Sequence, residues 1–320
     1  MASYRNFREF YEGELHGDLI RLDAARKKTR RQTITVVVCS VTALALEIAL
    51  IPGDTSFPKS IPVILTSLAF LILLGIYSKS YRDEYKKKII SRVATFADDE
   101  LTYSPDGMIP KEEFVRSGIF TYSCDKYEGE DYFTGKIGKT VIEFSEVNAK
   151  YNNAAGPGAR QKDDYVSYFR GLFIIADFNK NFRAHTVVLP DRAEKLFGKF
   201  GQTLQSLSVS RGHLVMLEDP RFEKEFCVYS QDQVEARYIL TPALMERILA
   251  LKTKWNKDVY ISFLESKVYI GISMYKNLFE LRPFKPAADF EFLEETLHFL
   301  ILLTGIVEDL NLNTRIWTKE

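Results

Sequence analysis

Two uninterrupted apolar runs stand out from an otherwise mixed chain: Thr33 to Ile51 and Ile61 to Tyr77. At the helical rise each reaches roughly 25 to 29 Å, close to the hydrocarbon thickness of a bilayer. The linker between them, PGDTSFPKS, is too short for a domain and is broken by Pro52, Gly53 and Pro58. The pattern therefore predicts an antiparallel transmembrane hairpin over residues 33–77. A helical hairpin buried in a soluble core is the alternative account, and the basic flanks of both runs argue against it.

The hairpin is framed by two amphipathic stripes. Tyr4, Phe7, Tyr11, Leu15, Leu19 and Leu22 recur every three or four residues before it, and Tyr81, Tyr85, Ile89, Val93 and Phe96 do so after it. Residues 1–32 and 78–98 thus read as helices that leave one hairpin side by side. Their stripes are placed to pack antiparallel, with Leu22 near Ile89.

From residue 99 onward the pattern changes to short strands interspersed with helices. Asp131 to Ile137 and Lys139 to Val147 flank Gly138 as a hairpin, Tyr165 to Phe178 and Phe182 to Leu189 flank Asn179-Lys180-Asn181 as another, and Val259 to Leu264 with Lys267 to Ile272 form a third. Helices are expected at Asp191 to Leu207, Gln231 to Leu240, Ala243 to Trp255 and Phe290 to Leu310. Asn152 to Asp164 is a surface loop whose glycines lack the spacing of a phosphate cradle. Hairpins closed by helices imply an α+β fold with mainly antiparallel sheet, divisible near Ser210 into halves over 99–210 and 211–320.

Charge decides the orientation of the hairpin. Arg26, Lys27, Lys28, Arg30 and Arg31 precede the first run and Lys79, Arg82, Lys86, Lys87 and Lys88 follow the second, while Lys59 alone sits in the turn. The positive-inside bias places both termini and the large domain in the cytoplasm. The basic clusters would lie at the lipid headgroups, each cation contributing ~1 kcal/mol with anionic lipid. Inside the spans, Glu47 is the ionisable residue; near the outer end of its helix it is within reach of Thr66, and a hydrogen bond between them is favoured over an ion pathway.

Composition adds exclusions. The 320 residues carry a formal net charge of zero, are 46% hydrophobic and 27% charged, and include three cysteines. That profile excludes disorder and a disulfide scaffold, and it removes the electrostatic argument for nucleic acid. Cys39, Cys124 and Cys227 lack any C-x-x-C spacing and read as reduced thiols.

Candidate chemistry is sparse. His16, His185, His213 and His298 are scattered, so no metal site or cofactor is implied, and His298, between Leu297 and Phe299, reads as a core residue. Cys227 beside His213 or His185 is conceivable as a nucleophilic pair, but its apolar strand context favours an inert thiol. The densest polar group is Glu218, Asp219, Asp232, Glu235 and Arg237. Asp232 and Glu235 on one helical face can act as an acid/base pair; equally, acidic residues in a first turn suit the helix dipole, with Arg237 paired to Asp219 or Glu218, and that account is preferred.

The string LEDPRFEKEFCVYSQDQVEARYILTPALMERI, with FRGLFIIADF and HTVVLPD, resembles the bacterial family called domain of unknown function 3137 across most of residues 100–285. Glu218, Asp219, Phe226, Tyr229, Asp232, Glu235, Arg237 and Pro242 carry the resemblance. It implies a bacterial inner-membrane protein with a two-helix anchor, often encoded beside LemA-type membrane proteins, and carries over no catalytic residue. The expectation is a membrane-anchored interaction module in an inner-membrane assembly. A lipid-sensing or lipid-handling protein is the alternative, and an enzyme using the Glu218 to Arg237 cluster ranks third.

Overall fold

The computed structural model describes residues 4–50, 68, 81–153, 164–178, 181–191, 211–275, 277–280, 286, 288–310 and 312. The chain forms two units, one of Met1–Val93 with Phe279–Thr296 and the other of Ala94–Leu278 with Leu297–Glu320.

In the first unit, helix α1 (Tyr4–Phe10) passes through a π-helical turn, Tyr11–Leu15, into the long helix α2 (His16–Leu50). The returning segment is helical over 81–85, passes through a second π-helical turn, Lys86–Ile90, and continues as α3 (Ser91–Ala97). Both π turns answer the same feature of the stripes. Phe7, Tyr11, Leu15 and Leu19, like Tyr81, Tyr85, Ile89 and Val93, are separated by three successive steps of four residues. On a helix of 3.6 residues per turn each such step drifts by about 40°, and a wider turn returns the stripe to one line. Phe7, Tyr11, Leu15, Leu19 and Leu22 are accordingly buried, as are Tyr85, Ile89 and Val93. Arg92 joins the two helices by donating to the Glu14 carbonyl (3.1 Å) and the Asp18 carboxylate (3.0 Å). Phe290 closes the stripe, its ring 5.8 Å from Phe7 and 5.1 Å edge-on from Tyr11.

Among the described residues no helix is long and apolar enough to cross a membrane. Helix α2 continues through the first predicted span as far as Leu50, but the side chains described on it end at Thr42, short of a span. The second predicted span and its turn lie outside the described residues except for Leu68. So do Thr66 and the side chain of Glu47.

The second unit is built on an antiparallel sheet with nine strands among the described residues. They are β1 (Thr102–Ser104), β2 (Lys126–Ile137), β3 (Thr140–Asn152), β4 (Tyr165–Asp177), β5 (Thr186–Pro190), β6 (His213–Leu214), β7 (Phe226–Ser230), β8 (Val259–Leu264) and β9 (Lys267–Ser273). Their order across the sheet is β1-β2-β3-β4-β9-β8-β5-β7-β6. The hairpins about Gly138 and Glu265-Ser266 form as expected. The expected hairpin of β4 with β5 does not. The β8–β9 hairpin inserts between them, β9 pairing with β4 and β8 with β5. The connection crosses at the tip of that hairpin, where Phe178 N–H donates to Ser266 O and Phe182 N–H to Glu265 O. One sheet therefore draws strands from both sides of residue 210.

Both faces of this sheet are covered, so its central strands lose the polar alternation of a half-exposed sheet. One face is aromatic: Phe169, Phe173, Tyr229 and Tyr269 pack with Phe114 from α4 (Lys111–Arg116) and with Ile119 and Phe120 beyond it. The opposite side chains, among them Leu172, Ile174, Val188, Val228, Ile261 and Ile270, are also buried. Further helices are α5 (Pro220–Glu225), α6 (Gln233–Ile239), α7 (Pro242–Trp255), α8 (Phe290–Thr304) and α9 (Ile306–Asp309). Leu244, Ile248, Leu251 and Trp255 make the buried stripe of α7, as their spacing predicts.

Candidate functional site

The polar cluster read from the sequence is engaged in local architecture. Asp219 caps α5, accepting from the Arg221 N–H at 2.8 Å, and the Arg221 guanidinium beside it holds its carboxyl below the usual range. Asp232 caps α6, accepting from Val234 N–H (2.8 Å) and Glu235 N–H (3.1 Å). It is thus the residue before the helix rather than part of its face. Glu235 turns back to the segment preceding β5, where its carboxylate accepts from Arg183 N–H (3.0 Å) and Ala184 N–H (2.6 Å). Arg237 meets neither expected acid: its Nε donates to Met216 O at 3.3 Å. Glu218 is exposed. Four of the five side chains satisfy backbone groups or each other's neighbours, which is the work of caps and tethers.

A different acidic site is assembled by strand register. Glu130 on β2 stands directly opposite Glu146 on β3, two like charges on one face. The register then shifts between Glu130 and Phe133, and within that bulge Asp131 adopts φ 59° with its side chain fully buried. Carboxylate oxygens of Glu130, Asp131 and Glu146 lie within 4.8 Å of one another. Donors surround them: the Tyr103 hydroxyl to Asp131, Asn277 Nδ2 to Glu130 at 3.4 Å, and Leu278 N–H to Glu146 at 2.7 Å. Burial first, and the Asp131 charge second, push the Tyr103 hydroxyl far above the ordinary tyrosine value, so it stays a donor. Beside the carboxylates opens a cavity of about 370 Å³ lined by Glu128, Asn148 and Arg170 among others. An all-oxygen set of this kind suits a hard divalent cation, and these three residues are the ones that can hold a metal among those described. The turn at Gly138 already placed residue 130 near 146, but the predicted hairpin began at Asp131 and left Glu130 out.

A third polar group lies under the aromatic face. His185 Nε2 is 3.0 Å from Ser117 O and 2.9 Å from Ser262 Oγ. A carbonyl only accepts, so Nε2 carries the hydrogen. Burial holds the imidazole below its usual pKa. Arg211, almost fully buried, donates Nε to Gly118 O at 3.3 Å and Nη2 to Ile119 O, and burial lowers its pKa to about 10. Together they pin the 117–119 turn. Cys227 is half-buried with Sγ 3.6 Å from Leu189 O, remote from the role of a nucleophile, and His213 and His298 are exposed, the latter against expectation. His298 falls on the outward side of α8, between Leu297 and Leu300, which are buried.

The basic residues expected at headgroups separate by environment. Arg26 and Lys27 both bond Asp23 at 2.9 Å, whereas Lys28, Arg30 and Arg31 are exposed. Lys86 is buried, Lys87 exposed, and Lys88 pairs with Glu84 at 2.8 Å.

Residues 167–312 match the family described as Protein of unknown function (DUF3137). The match agrees with the resemblance read from the central motif and takes in all five residues of the polar cluster. Strands β1 to β3 precede it, so the acidic site is formed largely outside the matched segment. No curated protein matches the chain. Among solved structures, the crystal structure of the mycobacterial trehalose monomycolate transport factor A, TtfA, aligns over 69% of this chain and 96% of its own, with 7% identity and a TM-score of 0.33. A likeness at that level carries no argument.

Proposed function

We propose that this protein is an interaction module tethered to a bacterial inner membrane by a two-helix hairpin, with its α+β domain on the cytoplasmic side and a membrane protein, LemA-type as the resemblance implies, as partner. The register of the helical unit supports the tether. Arg92 meets the turn from Glu14 to Asp18, and midway along the chain between these contacts lies residue 54. Two antiparallel helices in that register converge residue by residue on the linker at 52–60, as a continuous hairpin requires. The exposed apolar side chains of α2 agree: Ile34, Val37, Val38 and Val41 are 47–60% exposed, as lipid-facing side chains would be.

The test is fractionation of the full chain with a carboxyl-terminal reporter. Resistance to alkaline carbonate, release by detergent and cytoplasmic reporter activity are expected. Release by carbonate alone, or a reporter active outside the inner membrane, overturns the tether.

A further inference from the structure

Placement of the side chains divides the basic cluster at the end of the polar part of α2. Arg26 faces inward, its side chain 15% exposed and committed to Asp23, and Lys27 shares the same carboxylate. Lys28, Arg30 and Arg31 are exposed, and no carboxylate among the described residues pairs with them. The next turn begins the exposed apolar belt of Ile34, Val37, Val38 and Val41. The second cluster is unlike the first. Lys86 is buried and Lys88 is neutralised by Glu84. In the register set by Arg92, Lys87 lies opposite residues near 21, roughly 13 Å along the axis from Arg30.

We propose that Lys28, Arg30 and Arg31 form a collar that binds the headgroups of anionic phospholipids where α2 passes from water into acyl chains. The inference rests on the tethered reading and adds a ligand class to it. Three cations that no described carboxylate pairs, directly against an exposed apolar belt, are the arrangement an anionic interface neutralises, the long stems lying along apolar surface while the heads stay at the phosphates. The two guanidinium forks match phosphate oxygens bidentately. Arg26 and the Lys86 to Lys88 turn take no part, because their charges are already engaged or set back from the interface.

Cys39 supplies the probe. It is exposed on α2 eight residues beyond Arg31, about 12 Å along the helix. The full chain with Cys124→Ser and Cys227→Ser, bimane-labelled at Cys39, is reconstituted into phosphatidylcholine vesicles that are one-fifth phosphatidylglycerol, with one lipid or the other brominated on its acyl chains. Per mole of quencher, brominated phosphatidylglycerol is expected to quench about twofold more than brominated phosphatidylcholine. The excess should vanish in Lys28→Gln/Arg30→Gln/Arg31→Gln and persist in Lys87→Gln/Lys88→Gln. Equal quenching by the two lipids, or an excess that both variants lose, overturns the collar and leaves the tether standing. Quenching by neither lipid removes the tether, and the collar with it.

Discussion

Arg92 reaches Glu14 across the helical unit, donating at 3.1 Å to a carbonyl that lies in the Tyr11–Leu15 π turn. The turn is where the hydrogen-bond ladder changes spacing, and a side-chain donor from the neighbouring helix meets it there. The same guanidinium nitrogen is 3.0 Å from Asp18, so one residue links a change in helix geometry to the register of the pair.

That register predicts a cross-link. The Arg92 contacts place Leu22 opposite residue 86, so in a background without native cysteines Leu22→Cys and Tyr85→Cys should form a disulfide in high yield under mild oxidant. Preferential bridging of Leu22→Cys to a cysteine one turn away, at Ile89, as the stripes alone suggest, would show a shifted register. Arg92→Ala should lower the stability of the helical unit by about 0.5–1 kcal/mol, since both partners are partly exposed.

Asp232 and Glu235 should behave as structural residues. Asp232→Ala removes a cap and should cost about 1 kcal/mol. Glu235→Ala leaves two backbone N–H groups, of Arg183 and Ala184, without their acceptor and should cost about 2–3 kcal/mol, read from urea midpoints. Native stability in both variants, together with loss of a cellular phenotype, would restore the enzymatic reading of the cluster.

Gly118 should be intolerant of a side chain. It adopts φ 61°, and a Cβ there would sit 2.3 Å from Cε1 of the His185 ring. Gly118→Ala combines left-handed backbone strain with overpacking and should cost about 2–4 kcal/mol. A thermal midpoint within a degree of the parent would show that the turn can move away from His185.

Acid should destabilise the domain in two stages. Burial holds His185 below its ordinary value of 6.5, so the unfolded chain takes up a proton first. Its contribution is complete above that value and is lost as pH falls through the lowered folded-state pKa. Glu113 follows at lower pH. Burial would raise its pKa, but hydrogen bonds from Lys267 and Tyr269 outweigh it and hold the folded value below 4.5, so this contribution is present above 4.5 and lost as pH falls through the lower folded value. Equilibrium unfolding as a function of pH should show the upper leg flattened in His185→Gln and the lower leg flattened in Glu113→Gln. An unchanged upper leg in His185→Gln would assign that loss to other groups.

Most elements were legible because their causes are local. The stripe of α7 and the hairpins about Gly138 and Glu265-Ser266 each depend on residues within a few positions of one another. Even the π turns are foreshadowed by repeated four-residue steps in Phe7 to Leu19 and Tyr81 to Val93.

What periodicity cannot convey is which strand becomes whose neighbour. Local spacing makes β4 and β5 a natural hairpin, yet β8 and β9, nearly ninety residues on, lie between them because both edges of that gap bury apolar side chains against a hairpin that is apolar on both faces. Glu130 and Glu146 became a site through cross-strand register and a bulge, and His185 met Ser117 and Ser262 only once three distant segments were stacked. The amino-acid sequence by itself determined the apolar runs, the amphipathic stripes and most of the described strands, since backbone propensity and side-chain alternation act over a few residues. Only the tertiary structure decided strand order and the company each charge keeps, since those follow from burying surface drawn from the whole length of the chain.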